Sequence, residues 1–178
     1  MPPLSPVEQK FILHWGEMGT RWGVNRTVAQ IHALLYLSPA PLPAEEIAAT
    51  LSVARSNVSN SLRELQGWGI VRVVHVLGDR RDHFESLKDV WEMFRIILQE
   101  RKRREIDPTL RVLRECIEEH NAADASAKNN KVIHERLLAM QEFLETATML
   151  YDEFRTLPPG AIKRLATLRG RLRKLLGK

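Results

Sequence analysis

Within residues 43–86 two short helical patterns stand almost back to back, and a strand pattern that doubles back on itself follows at once. Pro43-Ala44-Glu45-Glu46-Ile47-Ala48-Ala49-Thr50-Leu51 puts Ile47 and Leu51 on one helical face and its acids in the first turn, where the helix dipole favours negative charge. Ser52-Val53-Ala54 interrupts, and a second helix is predicted from about Arg55 to Gln66, with Val58, Leu62 and Leu65 inward and Gly67-Trp68-Gly69 as its stop. Ile70 to Leu77 is β-branched and apolar, Gly78-Asp79-Arg80-Arg81-Asp82 is a charged turn, and His83-Phe84-Glu85-Ser86 can pair back as a second strand. Helix, tight turn, helix and hairpin in this order describe a winged helix-turn-helix.

The flanks are helical. Ser5-Pro6-Val7-Glu8 reads as a capping box with proline at the first helical position, and Val7, Phe11, His14, Trp15 and Met18 follow at helical spacing. Asn25 caps a second helix carrying Val28, Ile31, Leu34 and Leu35, which the prolines of Ser38–Pro43 end. After the hairpin, Leu87, Val90, Trp91, Phe94, Ile97 and Leu98 form an amphipathic helix, and Asp107-Pro108 is expected to cap the next one. Asn121 to Lys131 is polar and reads as a loop or a frayed helix end. Ile133, Leu137, Met140, Leu144, Ala147, Tyr151 and Phe154 recur in heptad steps, a seam that packs either on a second copy of the chain or on the 87–104 helix. A short basic helix over 162–178 closes the sequence. The expected fold is mainly α with a small β-hairpin wing: a winged helix-turn-helix domain within residues 1–104 (core about 25–86), and a long helical dimerisation region over 105–178.

A helix that reads DNA buries one face and offers short polar and basic side chains on the other. With Val58 and Leu62 inward, the outer arc holds Arg55, Ser56, Asn57, Ser59, Asn60 and Arg63 and no acid. Asn pairs with adenine N6 and N7, Arg with guanine O6 and N7 or phosphate, and Ser with phosphate or a base edge. At the wing tip Arg80 and Arg81 sit between Asp79 and Asp82, where an Arg can enter the minor groove while a neighbouring Asp fixes its rotamer. Double-stranded DNA is the expected partner. An interaction module for protein partners would carry an apolar or acidic outer face on the second helix. A non-specific architectural binder would have no use for the two asparagines.

Trp15-Gly16-Glu17, Trp22 to Tyr36, Ala54 to Leu65 and Gly78-Asp79-Arg80-Arg81-Asp82-His83-Phe84 together resemble the GbsR branch of the MarR-type bacterial regulators, over about Phe11 to Glu105. The resemblance implies a homodimeric transcriptional repressor on inverted-repeat operators, with Asp79 and Arg81 matching the family's Asp-x-Arg wing. Ala54 departs from the pattern, since many relatives place a capping Ser or Thr there. Regulators of this type answer to small molecules, and the branch named for glycine betaine synthesis answers to choline. A quaternary ammonium needs ring faces within about 6 Å, and Trp15, Trp22, Tyr36 and Trp91 are the available rings, which serve equally as core.

Other chemistries find little support. There is no Gly-rich phosphate loop, GxSxG turn or HExxH helix, so the chain does not read as an enzyme and needs no cofactor. Cys116, Glu119 and His120 share a helical face but lack the paired ligands of a zinc site. The lone cysteine, the missing signal peptide and the lack of a membrane-length apolar run point to the cytoplasm, with no membrane partner. The net charge of +5 is located at one end: residues 162–178 hold seven of the 27 basic residues and none of the 22 acidic ones, leaving the rest at −2. DNA binding is therefore read from the arc at 55–63 and the wing, not from the global charge.

Overall fold

The computed structural model describes residues 3–122 and 128–158 together with 160, 161, 164 and 167, residues 128–130 by backbone alone. Apart from 164 and 167, the expected basic helix lies outside the described residues, as does the middle of the polar break before residue 131. The chain divides into two compact units, Met1–Ile97 and Leu98–Lys178.

In the first unit, helix α1 (Pro6–Arg21) begins with a complete capping box. The Glu8 amide donates to the Ser5 hydroxyl at 3.3 Å, and the Ser5 amide donates to the Glu8 carboxylate at 2.7 Å. Helix α2 (Arg26–Leu37) opens on Asn25, whose side-chain oxygen accepts from the Thr27 amide at 2.8 Å. α1 and α2 lie so close that a Cβ at Gly19 would stand 2.5 Å from the Ala29 Cβ, which is why a glycine is needed there. α2 buries Val28, Ala29, Ile31, His32, Ala33, Leu34 and Leu35, more than one stripe, and so runs through the core rather than along its surface. Ile31, Leu34 and Leu35 join Ile47 of helix α3 (Ala44–Leu51), Val58, Leu62 and Leu65 of helix α4 (Arg55–Gly67), and Ile70 in one cluster. At roughly 1.5–3 kcal/mol for each buried side chain of this size, that cluster is the main favourable term holding α4 in place.

Three strands complete the unit in the order β1-β3-β2, with β1 at Leu42–Pro43, β2 at Val71–Val74 and β3 at His83–Ser86. β2 and β3 form the expected antiparallel hairpin, Val71 opposite Ser86 and Val74 opposite His83. β1 corrects the reading of the proline-rich segment as a mere break: Leu42 pairs with Phe84 and Pro43 with His83. Proline tolerates this because β1 is a sheet edge, where a missing N–H costs no ladder bond. Lys88, just past β3, sends its ammonium to the carbonyls of Leu35, Tyr36 and Ser38 at 2.8, 2.8 and 2.9 Å.

Helix α5 (Val90–Arg101) starts at Asp89, whose carboxylate accepts from the Trp91 and Glu92 amides, and buries only Met93. In the second unit the helix does not stop at Asp107-Pro108, contrary to the expected cap. A π-helical turn, Lys102–Ile106, leads directly into helix α6 (Asp107–Ala122), and Asp107 itself is helical at φ −60°, ψ −42°. Pro108 has no N–H for the usual bond and its ring crowds the carbonyl four residues earlier, at Arg104; the widened π turn contains that carbonyl.

Helix α7 (Lys128–Thr156) runs antiparallel to α6, since His120 stacks on His134 and Arg114 reaches Glu145 at 2.8 Å. The heptad seam divides in two. Leu137, Leu144 and Tyr151 lie on the half-buried face with His134, Gln141 and Thr148, whereas Ile133, Met140, Ala147 and Phe154 are exposed, together with Phe143 and Leu150.

His32 gives this fold an acid limit. Burial, reinforced by the Lys88 charge, pushes its pKa down to about 4 from 6.5. The unfolded chain takes up the proton near 6.5 and the folded chain does not, so stability is complete above that value and falls as the pH drops toward 4, by on the order of 3 kcal/mol. Urea unfolding at pH 7.5 and 4.5 should show this loss, and His32→Leu should make it shallower; an unchanged slope in the variant would contradict the assignment.

Candidate nucleic-acid interface

Helices α3 and α4 are joined by a turn in which Ser52 adopts the left-handed conformation, φ 53°, ψ 43°. That costs a non-glycine residue about 1 kcal/mol and lets the chain change direction within three residues. α4 buries Val58, Ser61, Leu62 and Leu65, which leaves Arg55, Ser56, Asn57, Asn60 and Arg63 exposed and Ser59 half-buried. Ala54 supplies no side-chain cap, as its methyl dictates.

The outward side chains differ in what already holds them. Arg55 is ion-paired with Glu45 of α3, an acid that the outer arc of α4 alone does not reveal. Arg63 donates to the Asn60 side-chain oxygen at 2.9 Å, which orders both and leaves the two N–H groups of Asn60 Nδ2 to donate. The side chains of Ser56, Asn57 and Ser59 have no hydrogen bond among the described residues. Asn57 therefore offers both edges of its amide.

On the wing, Gly78 takes φ +87° and turns the chain toward β3. The Asp79 carboxylate accepts from the Arg81 amide and Nε at 3.0 Å each and from an Arg81 terminal nitrogen at 2.6 Å. His83, buried beneath, places Nε2 3.5 Å from the same carboxylate and Nδ1 3.0 Å from the Arg81 carbonyl oxygen. The Arg81 hydrogen bonds hold the Asp79 carboxyl well below the usual carboxylate range, and Asp79 in turn raises the Arg81 pKa. Arg81 is thus a fixed cation. Arg80 is exposed, with no ion pair among the described residues, and Arg72 is occupied by Glu85 across the strands at 2.6 Å.

The four candidate rings do not form one box. Trp15 and Tyr36 line a cavity with Phe11, His32, Val90 and Met93, while Trp22 is half exposed at the end of α1 and Trp91 is not part of the lining. His32, Phe11 and Met93 join the cavity without a sequence signal beyond their apolar neighbours, and Lys88 and Glu45 act across distances that local patterns do not report. Among the described residues no group of three or more His, Cys, Asp or Glu is placed to hold a metal, so Cys116, Glu119 and His120 do not converge. Among them, too, no helix is long and apolar enough to cross a membrane.

Residues 22–82, from the end of α1 through the wing, match the model of the MarR family. YvaV of Bacillus subtilis (strain 168), provisionally named as an HTH-type transcriptional regulator, is 25% identical over 95 residues, which is 52% of this chain and 54% of that protein. The chain thus spans about half the length of the curated relative it matches. A crystal structure of a transcriptional regulator shares the fold at a TM-score of 0.55 and 19% identity, over 83% of this chain and 99% of that one. An S. aureus MepR mutant bound to oligodeoxyribonucleotide aligns at a TM-score of 0.39 and 15% identity, over 78% of this chain and 92% of that one, a likeness too low to bear on the site.

The clamp has a measurable signature. Because the Asp79 pKa is depressed, the wing contact is complete above the ordinary carboxylate range and is lost only as the pH falls below it. The Arg81 Nε–H should stay protected from exchange in NMR spectra from pH 7 to about 4 and lose that protection in Asp79→Asn; retained protection in the variant would mean that another group holds Arg81.

Proposed function

We propose that this chain, whose residues 22–82 carry a MarR-type winged helix, is a transcriptional regulator that binds double-stranded DNA in the cytoplasm, and not an enzyme. The observation that carries the reading is the outer face of α4, polar and free of acids from Arg55 to Arg63, with its inner face seated in the core. Asn57 and Asn60 read base edges in the major groove; Arg55, Ser56, Ser59 and Arg63 take phosphates or neighbouring bases; Arg80 and the clamped Arg81 enter the minor groove from the wing. The resemblance of Trp15-Gly16-Glu17 and Trp22 to Tyr36, together with Asp79 and Arg81, to the GbsR branch supports reading the chain as a repressor released by a small-molecule effector.

A two-fold operator requires a two-fold protein. The exposed face of Ile133, Met140, Phe143, Leu150 and Phe154 on α7 supports a homodimer, because an apolar heptad row left open to water in one chain is satisfied by a second. Sedimentation equilibrium should give a dimer at micromolar concentration, and Phe143→Glu with Leu150→Glu should give a folded monomer; a wild-type monomer would remove the dimer from the reading.

Footprinting on the DNA upstream of the protein's own gene tests recognition. The expected result is protection of an inverted repeat with half-sites about one helical turn apart. Asn57→Ala should cost about 1–3 kcal/mol of discrimination at one position per half-site, whereas Arg80→Ala should weaken binding to all sequences alike. Uniform protection would indicate an architectural binder, and no protection a protein-interaction module.

A further inference from the structure

Arg55 opens α4 at the end where the helix dipole disfavours a cation, and the first turn of α4 holds neither an acid nor a side-chain cap to offset it. Its partner comes from α3: a terminal guanidinium nitrogen of Arg55 donates to the Glu45 carboxylate. The pair is open to water, with the Arg55 side chain 70% and the Glu45 side chain 39% exposed, and ion pairs this exposed add little to stability. What the pair does set is the direction of the guanidinium and the kind of acceptor that can approach it.

Glu45 is placed by the sheet. Pro43 pairs with His83 of β3 and is also the residue from which α3 starts, so Glu45 stands two residues beyond the strand that flanks the base of the wing. Its charge is felt on the wing as well. The Arg81 pKa is raised chiefly by the hydrogen bond to Asp79, and the Glu45 and Glu46 charges act in the same direction. One carboxylate thus lies within electrostatic reach of the first cation of α4 and of the fixed cation of the wing, beside an arc of α4 that carries no acid of its own from Arg55 to Arg63.

We propose that Glu45 is a positioning residue for base reading: it holds Arg55 for the edge of a guanine in the major groove and denies it to the phosphates. The inference rests on the DNA-binding reading above and names the base that one of its residues selects. A phosphate oxygen approaching Arg55 meets the Glu45 carboxylate, and like charges at that range repel. Guanine O6 and N7 are neutral acceptors and meet no such repulsion. Arginine carries N–H donors on all three nitrogens of a rigid fork, so a bond from one terminal nitrogen to Glu45 leaves donors for the O6 and N7 pair.

The test is selection of bound duplexes from a random-sequence pool by the full chain, which gives the base preference at each position, with salt titrations on the selected and on random duplexes. The wild type should select a guanine at one position per half-site. Arg55→Ala and Arg55→Lys should both lose that preference by about tenfold, since lysine keeps the charge but not the fork. Glu45→Gln should also weaken it by about tenfold, raise the affinity for random duplex, and steepen the salt slope by about one as Arg55 takes a phosphate. In the Arg55→Ala background, Glu45→Gln should leave base preference unchanged; circular dichroism establishes that each variant is folded. A Glu45→Gln protein that keeps both the guanine preference and the salt slope overturns the proposal, as does an Arg55→Ala protein that loses affinity for all sequences alike. A wild type that selects no sequence refutes the regulator reading and this inference with it, whereas a selective wild type with an indifferent Glu45→Gln refutes this inference alone.

Discussion

A single ammonium ties the first unit together. Lys88 donates to three consecutive-turn carbonyls at the end of α2, which have no intrahelical partners of their own, and it does so from the segment that leaves the wing. The helix that fills the core and the hairpin that flanks α4 thus share one anchor. Replacing those three bonds by water would release the end of α2 and the base of β3 together. Burial lowers the Lys88 pKa, with the Glu85 charge opposing, so the anchor carries a desolvation cost that its three acceptors offset. The same ammonium lies 5.8 Å from the Tyr36 ring centroid and adds to the burial that lowers the His32 pKa.

The polar surface in front of α2 divides between prearranged and uncommitted groups. Arg81 is held by Asp79, Arg63 by Asn60 and Arg55 by Glu45, whereas Asn57, Ser56 and Arg80 are exposed and have no side-chain partners among the described residues. Prearranged cations lose little rotamer freedom on meeting a phosphate or groove, and uncommitted amides keep both edges for a base. Arg55 is the exception in kind, since Glu45 must give it up or accompany it, and Glu45 belongs to the helix that precedes the turn.

What was readable from the amino acids was whatever depends on near neighbours. The capping box at Ser5 and Glu8, the Asn25 cap, the turn before α4, the inward set Val58, Leu62 and Leu65, and the hairpin all follow from spacings of a few residues. β1 does not, because Leu42 becomes a strand only by pairing with Phe84 far along the chain. The heptad row from Ile133 to Phe154 has the right period, but a period cannot say which partner each half of it faces; α6 takes one half and leaves the other exposed. In the candidate interface the outward residues of α4 are legible in the same way as the inward ones. Their partners Glu45 and Lys88, and the cavity around His32, are not, since each joins elements that only the fold brings together.

The π turn at Lys102–Ile106 shows how a local adjustment sets a distant register. An α-helix advances about 100° per residue, so one residue more or less in a turn rotates everything beyond it by that angle. Leu110 and Ile117 are the buried residues of α6, and the direction they take relative to Leu98–Arg101 depends on the number of residues spent before Asp107. Removing a single residue from the π turn would leave composition and helix content nearly unchanged yet turn α6, with α7 packed on it, by more than a quarter of a circle relative to Leu98–Arg101, so that Ala147 and Tyr151 of α7 would no longer face Leu98 and Arg101. The segment around Pro108 is in this sense a phase marker, and its length carries information that its individual side chains do not.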